Sequence, residues 1–110
     1  MEYIPEKGDI VWFNFDQSAG KEIMKTRTAY IISRKAFNAH TGLAIVAPIT
    51  STIRNMKLEV VLPETLVTKG AILVHQLRSL DYKTRKIEFV EKATDDVADR
   101  VSEIASLLVE

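Results

Sequence analysis

Short apolar runs rich in β-branched and aromatic residues, broken by polar stretches, recur along most of this chain, and helical spacing appears only near its end. Over 10–16, Val11, Phe13 and Phe15 alternate with Trp12 and Asn14, which predicts a strand with one core face. Ile10 and Trp12 make its other face partly apolar, as expected of a strand covered on both sides. Tyr30, Ile31 and Ile32 are aromatic or β-branched and predict a second strand over 28–33, after a charged loop at 17–27. Residues 35–40 read as one helical turn closed by Thr41-Gly42. Further strands are predicted at 43–48, 58–62, 71–76 and 86–90, with the polar stretch 50–57 and a turn at Lys69-Gly70 between them. Val97, Val101, Ile104 and Leu108 then draw one apolar stripe at helical spacing. Thr94 is suited to cap that helix, and Asp95 and Asp96 occupy its first turn, where the helix dipole favours negative charge. Five or six short strands followed by a helix predict a mainly β (α+β) fold, a small barrel closed by the helix. One domain spanning 1–110, without internal repeat or linker, fits the length.

Composition narrows the chemistry. An apolar share of 46% and a charged share of 27% are those of a globular domain and exclude a disordered one. With no cysteine and two histidines, His40 and His75, disulfide and thiol chemistry are excluded and a zinc site of the usual kind is not expected. No apolar run reaches the roughly 18–20 residues of a membrane-spanning helix. The opening MEYIPEKGD lacks a signal-peptide pattern, so a cytoplasmic location is expected. The net charge of zero hides a segregation: residues 1–16 carry −3, 17–86 carry +8 and 87–110 carry −5. The middle of the chain is therefore able to offer a basic face to phosphates.

Phosphate-binding glycine loops, nucleophile elbows, His-Glu-x-x-His and paired strand carboxylates are all missing. Three polar clusters remain, each at a strand end. The first is Lys21, Glu22, Lys25 and Arg27; the second is Pro48-Ile49-Thr50-Ser51; the third is His75, Gln76, Arg78 and Ser79. Singly they read as surface charges, a turn and a structural histidine. Together, cations, hydroxyls and one imidazole are the parts needed to bind a phosphodiester and stabilise charge added to it.

The order of these clusters resembles the MazF/PemK (Kid) toxins of bacterial type II toxin–antitoxin pairs, from Gly8-Asp9-Ile10-Val11-Trp12 to the C-terminal helix. The family's Gly-x-Glu and following Arg correspond to Gly20, Glu22 and Arg27. Its Pro-x-Thr is Pro48-Ile49-Thr50, and its Gln-x-Arg is Gln76-Leu77-Arg78. The resemblance implies an SH3-like or CcdB-like barrel of five to seven strands with a C-terminal helix. It implies a homodimer and a sequence-specific, metal-independent endoribonuclease without cofactor that acts on single-stranded RNA. Cleavage by the ribose 2′-OH would leave a 2′,3′-cyclic phosphate and a 5′-OH. Arg27 and Thr50 become the catalytic pair. Lys21, Glu22, Lys25, Ser51, Lys57, His75, Gln76 and Arg78 become RNA-binding residues, with loops 17–27 and 50–57 as walls. A cognate antitoxin with an acidic, disordered tail is the implied partner, covering Arg27 and Thr50. Two departures stand out: Thr28 replaces the family's proline, and His75 replaces an acidic residue found in several relatives. An imidazole with an ordinary pKa near 6.5 suits proton transfer to or from the attacking 2′-OH.

Two other readings carry different expectations. A gyrase poison of the CcdB kind relies on a Trp-Gly-Ile ending, whereas this sequence closes with Leu107-Leu108-Val109-Glu110. A non-catalytic RNA- or protein-binding barrel is favoured by the change at Thr28.

Overall fold

A computed structural model of the protein describes residues 2–15 and 26–109. In chain order the elements are β1 (Asp9–Asn14), β2 (Thr26–Ile31), α1 (Lys35–Thr41), β3 (Leu43–Thr50), β4 (Glu59–Val61) and β5 (Ala71–Leu73). A 3-10 turn (Val74–Gln76), β6 (Arg78–Asp81), β7 (Glu88–Lys92) and α2 (Asp95–Val109) follow. The strands form one antiparallel sheet in the order β4-β5-β3-β2-β1-β7, with β6 also paired to β3. The mainly β class with a terminal helix is as expected, and β4 and β7 end the hydrogen-bonded path.

β3 is the hub. Its first half pairs with β6, from Leu43↔Asp81 to Val46↔Arg78, and its end pairs with β5 at Ile49↔Ile72 and Thr50↔Ala71. Its other edge pairs with β2 throughout Val46, Ala47 and Pro48. The sequence predicts a strand over 43–48 that Pro48 ends or places at an edge; β3 runs two residues further. Alternation explains why. Ile45 turns its carbonyl to Ile32 on the β2 side, so Pro48, three residues on, turns its nitrogen to the other side. There the partner strand changes from β6 to β5, and the missing N–H costs no ladder bond.

Two apolar clusters cover the two faces. Ile10, Tyr30, Ala47, Ile49 and Ile72 face α2, meeting its Val97, Val101 and Ile104. Full burial of each isoleucine or valine among them stabilises by about 1.5–3 kcal/mol. The fourth member of the predicted helical stripe, Leu108, is exposed, one turn beyond Ile104, the last buried residue of the stripe. The opposite face gathers Val11, Phe13, Ala29, Ile31, Val46 and Leu80. Thr94 caps α2 as expected, accepting from the Val97 N–H at 3.4 Å.

The Gly8-Asp9 opening is architectural. Gly8, at φ +94°, bonds its N–H to the Ile31 carbonyl and its carbonyl to the Ala93 N–H, joining β2 to the chain after β7. The buried Asp9 carboxylate accepts from the Tyr3 hydroxyl and the Glu6 N–H, and pairs with Lys92 at 2.7 Å. No helix among the described residues is long and apolar enough to cross a membrane.

Candidate active site

Of the predicted site residues, Arg27, Thr50 and Arg78 share the sheet face opposite α2. On β2 the buried Ala29 and Ile31 belong to that face, and Arg27 continues their alternation at the exposed start of the strand. On β3 it is Val46, then Pro48, then Thr50. Neighbouring strands lie about 4.8 Å apart, so Arg27 and Thr50 emerge side by side at one end of the β2–β3 pair. The Arg27 guanidinium reaches across, its Nη2 donating to the Ile49 carbonyl at 3.3 Å. Twenty-three positions apart in sequence, the two side chains share one edge of one face.

The Thr50 hydroxyl is oriented by a local turn, accepting from the Thr52 N–H at 3.1 Å. That bond uses the oxygen as acceptor and leaves its hydrogen for an acceptor beyond. Behind Thr50 lies Gly70, at φ +120°, whose absent Cβ would stand 2.1 Å from the Thr50 carbonyl oxygen. Only glycine lets the chain entering β5 lie so close to β3.

The other predicted residues are placed unevenly. Arg78 pairs with Val46 and so faces the same side as Arg27 and Thr50. It opens β6, a strand absent from the sequence reading because its exposed Arg78 and Ser79 carry no apolar signal. Ser51 follows Thr50 directly and is exposed, and Lys57 is exposed in the connection to β4. The strand predicted at 71–76 ends at Leu73. His75 and Gln76 lie instead in the 3-10 turn that fills the interval of β3 between its β6 and β5 pairings, both exposed. Gly20, Lys21, Glu22 and Lys25 lie outside the described residues. Among those described, no group of three His, Asp or Glu side chains is gathered as metal ligands. A cleft of about 370 Å³ between β4 and the start of α2 holds neither Arg27 nor Thr50.

Three residues with a part in this face were not singled out from the sequence. Gly70 read only as a turn. Glu59 is a buried carboxylate in a strand that otherwise reads as apolar. Arg85 donates from Nη1 to the carbonyls of Asn14 at 3.1 Å and Phe15 at 2.9 Å, and from Nε to that of Asp81 at 3.0 Å. Its guanidinium also stands 5.9 Å from the centre of the Phe13 ring, and Phe13 is the β1 partner of Arg27. Arg85 thus secures the end of β1 next to the Arg27 end of β2, which a lone arginine in a polar stretch does not announce.

The profile of the PemK-like, MazF-like toxins of type II toxin–antitoxin systems matches residues 6–109. This chain belongs to that family. Its relatives include the endoribonuclease toxin ChpB of Escherichia coli strain K12, 35% identical over 99 residues that cover 86% of this chain and 84% of the relative. The endoribonuclease toxin MazF of the same strain is 31% identical over 83 residues, covering 76% of this chain and 74% of that one. A chain in a crystal structure of MazE–MazF (form II) from Deinococcus radiodurans superposes with a TM-score of 0.89 at 36% identity, covering 98% of this chain and 97% of that chain. Membership accounts for the order of the clusters along the chain, and the folded toxin domain brings Arg27 and Thr50 together.

Proposed function

We propose that this protein is the toxin of a type II toxin–antitoxin pair and acts as a sequence-specific endoribonuclease on single-stranded RNA. The observation that carries the reading is the meeting of Arg27 and Thr50 at one accessible end of the β2–β3 pair, with Arg78 on the same face. The family's relatives that are named endoribonuclease toxins support the same class of reaction.

In the proposed reaction the ribose 2′-oxygen attacks the adjacent phosphorus, the bond from phosphorus to the 5′-oxygen breaks, and the 2′-proton is lost. The products are a 2′,3′-cyclic phosphate and a 5′-OH, which gains a proton as it leaves. The phosphorane that forms carries more negative charge than the ground state. Arg27 meets that charge with a planar fork of donors that stays protonated at every relevant pH. Thr50 donates its hydroxyl hydrogen to a non-bridging oxygen, the role its turn leaves open. His75, exposed beside β3, is assigned to proton transfer, and no metal or cofactor is needed in this scheme. Ser51, Lys57, Gln76 and Arg78, together with Lys21, Glu22 and Lys25, are assigned to the RNA strand. The active form is proposed to be a cytoplasmic homodimer. Crystal structures of MazE–MazF from Deinococcus radiodurans support an antitoxin partner, and we assign to that partner an acidic tail that folds over Arg27 and Thr50.

The test is incubation of the purified protein with a long RNA in EDTA, followed by analysis of the ends. Cleavage with 2′,3′-cyclic phosphate ends is expected, falling about 100-fold or more in kcat for Arg27→Ala and for Thr50→Val. In the same series, His75→Gln is expected to lower the rate and flatten its pH profile. RNA binding without cleavage would turn the reading to a non-catalytic barrel, and inhibition of gyrase to a CcdB-like poison.

A further inference from the structure

β4 contributes a carboxylate to the catalytic face that the reaction scheme does not use. Glu59 pairs with Leu73 of β5, and Val61 pairs with Ala71, which in turn pairs with Thr50. The alternation places Glu59 on the face that carries Thr50, while Val60 between them turns into the α2-side core with Ile72 and Ile49. A carboxylate on a strand that ends the sheet would ordinarily stand in water, yet Glu59 is 7% exposed. What covers it is the chain that leaves Thr50. Residues 51–58 fold back, and the Glu59 Oε2 accepts from the Arg54 N–H at 3.0 Å and the Asn55 N–H at 3.1 Å. Asn55 adopts a left-handed φ of +57°, a conformation open to asparagine that turns consecutive N–H groups toward one acceptor. The second oxygen, Oε1, is buried with no hydrogen-bond partner among the described residues.

Those two N–H groups are therefore the carboxylate's hydrogen-bond compensation for burial. A buried carboxylate is costly when unpaired, and loop N–H groups lose an acceptor if it leaves. Loop and strand are each held by the other. The tie lies four and five residues past Thr50, and the loop it closes presents Ser51, Arg54 and Lys57 together with the exposed apolar side chains of Ile53 and Met56. These are cations for phosphates and apolar surface for unstacked bases, set at the rim of the Arg27–Thr50 edge.

We propose that Glu59 is a positioning residue for RNA selection: its carboxylate holds the 51–58 loop against the catalytic face and so sets which bases are accepted next to the cleaved phosphate. This rests on the ribonuclease reading above, and it assigns to Glu59 no contact with RNA.

The experiment compares the wild-type protein with Glu59→Ala and Glu59→Gln by amide hydrogen exchange at Arg54 and Asn55 and by cleavage of an RNA library. Glu59→Ala is expected to lose protection at both amides and to relax the preference among cleavage sites. On the preferred site kcat/KM should fall about 10- to 100-fold, mainly through KM. Glu59→Gln keeps a carbonyl acceptor at the same reach and is expected to restore protection and preference, which separates a positioning role from general damage to the fold. Unchanged protection in Glu59→Ala, or a cleavage pattern identical to that of the wild type, overturns the proposal while the ribonuclease reading stands. So does a Gln variant no better than Ala. A wild-type protein that cleaves no RNA overturns the reading and the selection role with it, while exchange at Arg54 and Asn55 still reports whether Glu59 holds the loop.

Discussion

Gly70 shows how closely the site depends on single atoms. Its φ of +120° is strained for any side chain, and a Cβ there would lie 2.1 Å from the Thr50 carbonyl oxygen and 2.9 Å from its carbon. Both are backbone atoms, so β3 or β5 has to move. Gly70→Ala is expected to cost more than about 1 kcal/mol of stability and to lower cleavage further than the stability loss explains. Thermal melting alongside kcat decides it: normal melting and normal turnover would mean the strands separate without consequence. Thr28 makes the opposite point. The family's proline would lock φ at this position, but Thr28 lies within β2 and pairs with Trp12 of β1. The ladder supplies the restraint that the ring would have given, so the departure leaves Arg27 on an ordered strand.

Among the elements, those with strong local periodicity were legible in the sequence. β1 lies within the predicted 10–16 except for its first residue, and α2 follows its N-cap and the stripe of Val97, Val101 and Ile104. β2 begins at Thr26, two residues before the predicted strand, because pairing with Asn14 and Phe13 of β1 extends it through Arg27. That shift moves Arg27 from a loop onto a strand. β6 and the 3-10 turn had no signal, since their conformation comes from β3 beside them. The 63–70 connection has a similar external restraint in Glu91 on β7. Its carboxylate accepts from the Val67 N–H at 3.1 Å and the Thr68 N–H at 2.7 Å. Burial pushes the Glu91 carboxyl up, but the hydrogen bonds from Thr68 and Val67 and the charge of Lys69 outweigh it, and the net shift is downward. A carboxyl whose folded pKa is depressed adds stability above its unfolded value near 4.3, and loses it as pH falls through the folded value. Glu91→Ala is expected to cost about 1–2 kcal/mol at pH 7, with the gap to the wild type narrowing below about pH 4. A gap in melting temperature that stayed constant from pH 7 to pH 3 would show that the ionised carboxylate is not the cause.

At the scale of the whole molecule, the charge segregation along the chain becomes a segregation in space. The acidic α2, with Asp95, Asp96, Asp99 and Glu103, packs on one face of the sheet through Val97, Val101 and Ile104. Arg27 and Arg78 stand on the other, beside the loop that carries Arg54 and Lys57. A net charge of zero is thus compatible with a cationic surface where the site lies. Neutralising about three phosphates of a single strand would make KM for RNA rise on the order of tenfold between 50 and 200 mM salt. Steady-state cleavage across that range checks it, and a flat salt response would remove phosphate attraction from the account of binding.

The sequence by itself determined the alternating strands, the capped helix, the family and the residue types brought to the site, because each is written in local spacing or in the order of short motifs. Only the tertiary structure decided that β2 and β3 pair in the register that joins Arg27 to Thr50. It alone set Gly70 against the Thr50 backbone and buried Glu59 beneath the loop it holds. Those outcomes depend on cross-strand register, on contact between backbone atoms and on shielding from water. Each is settled by residues distant in the chain that meet only when the sheet is complete.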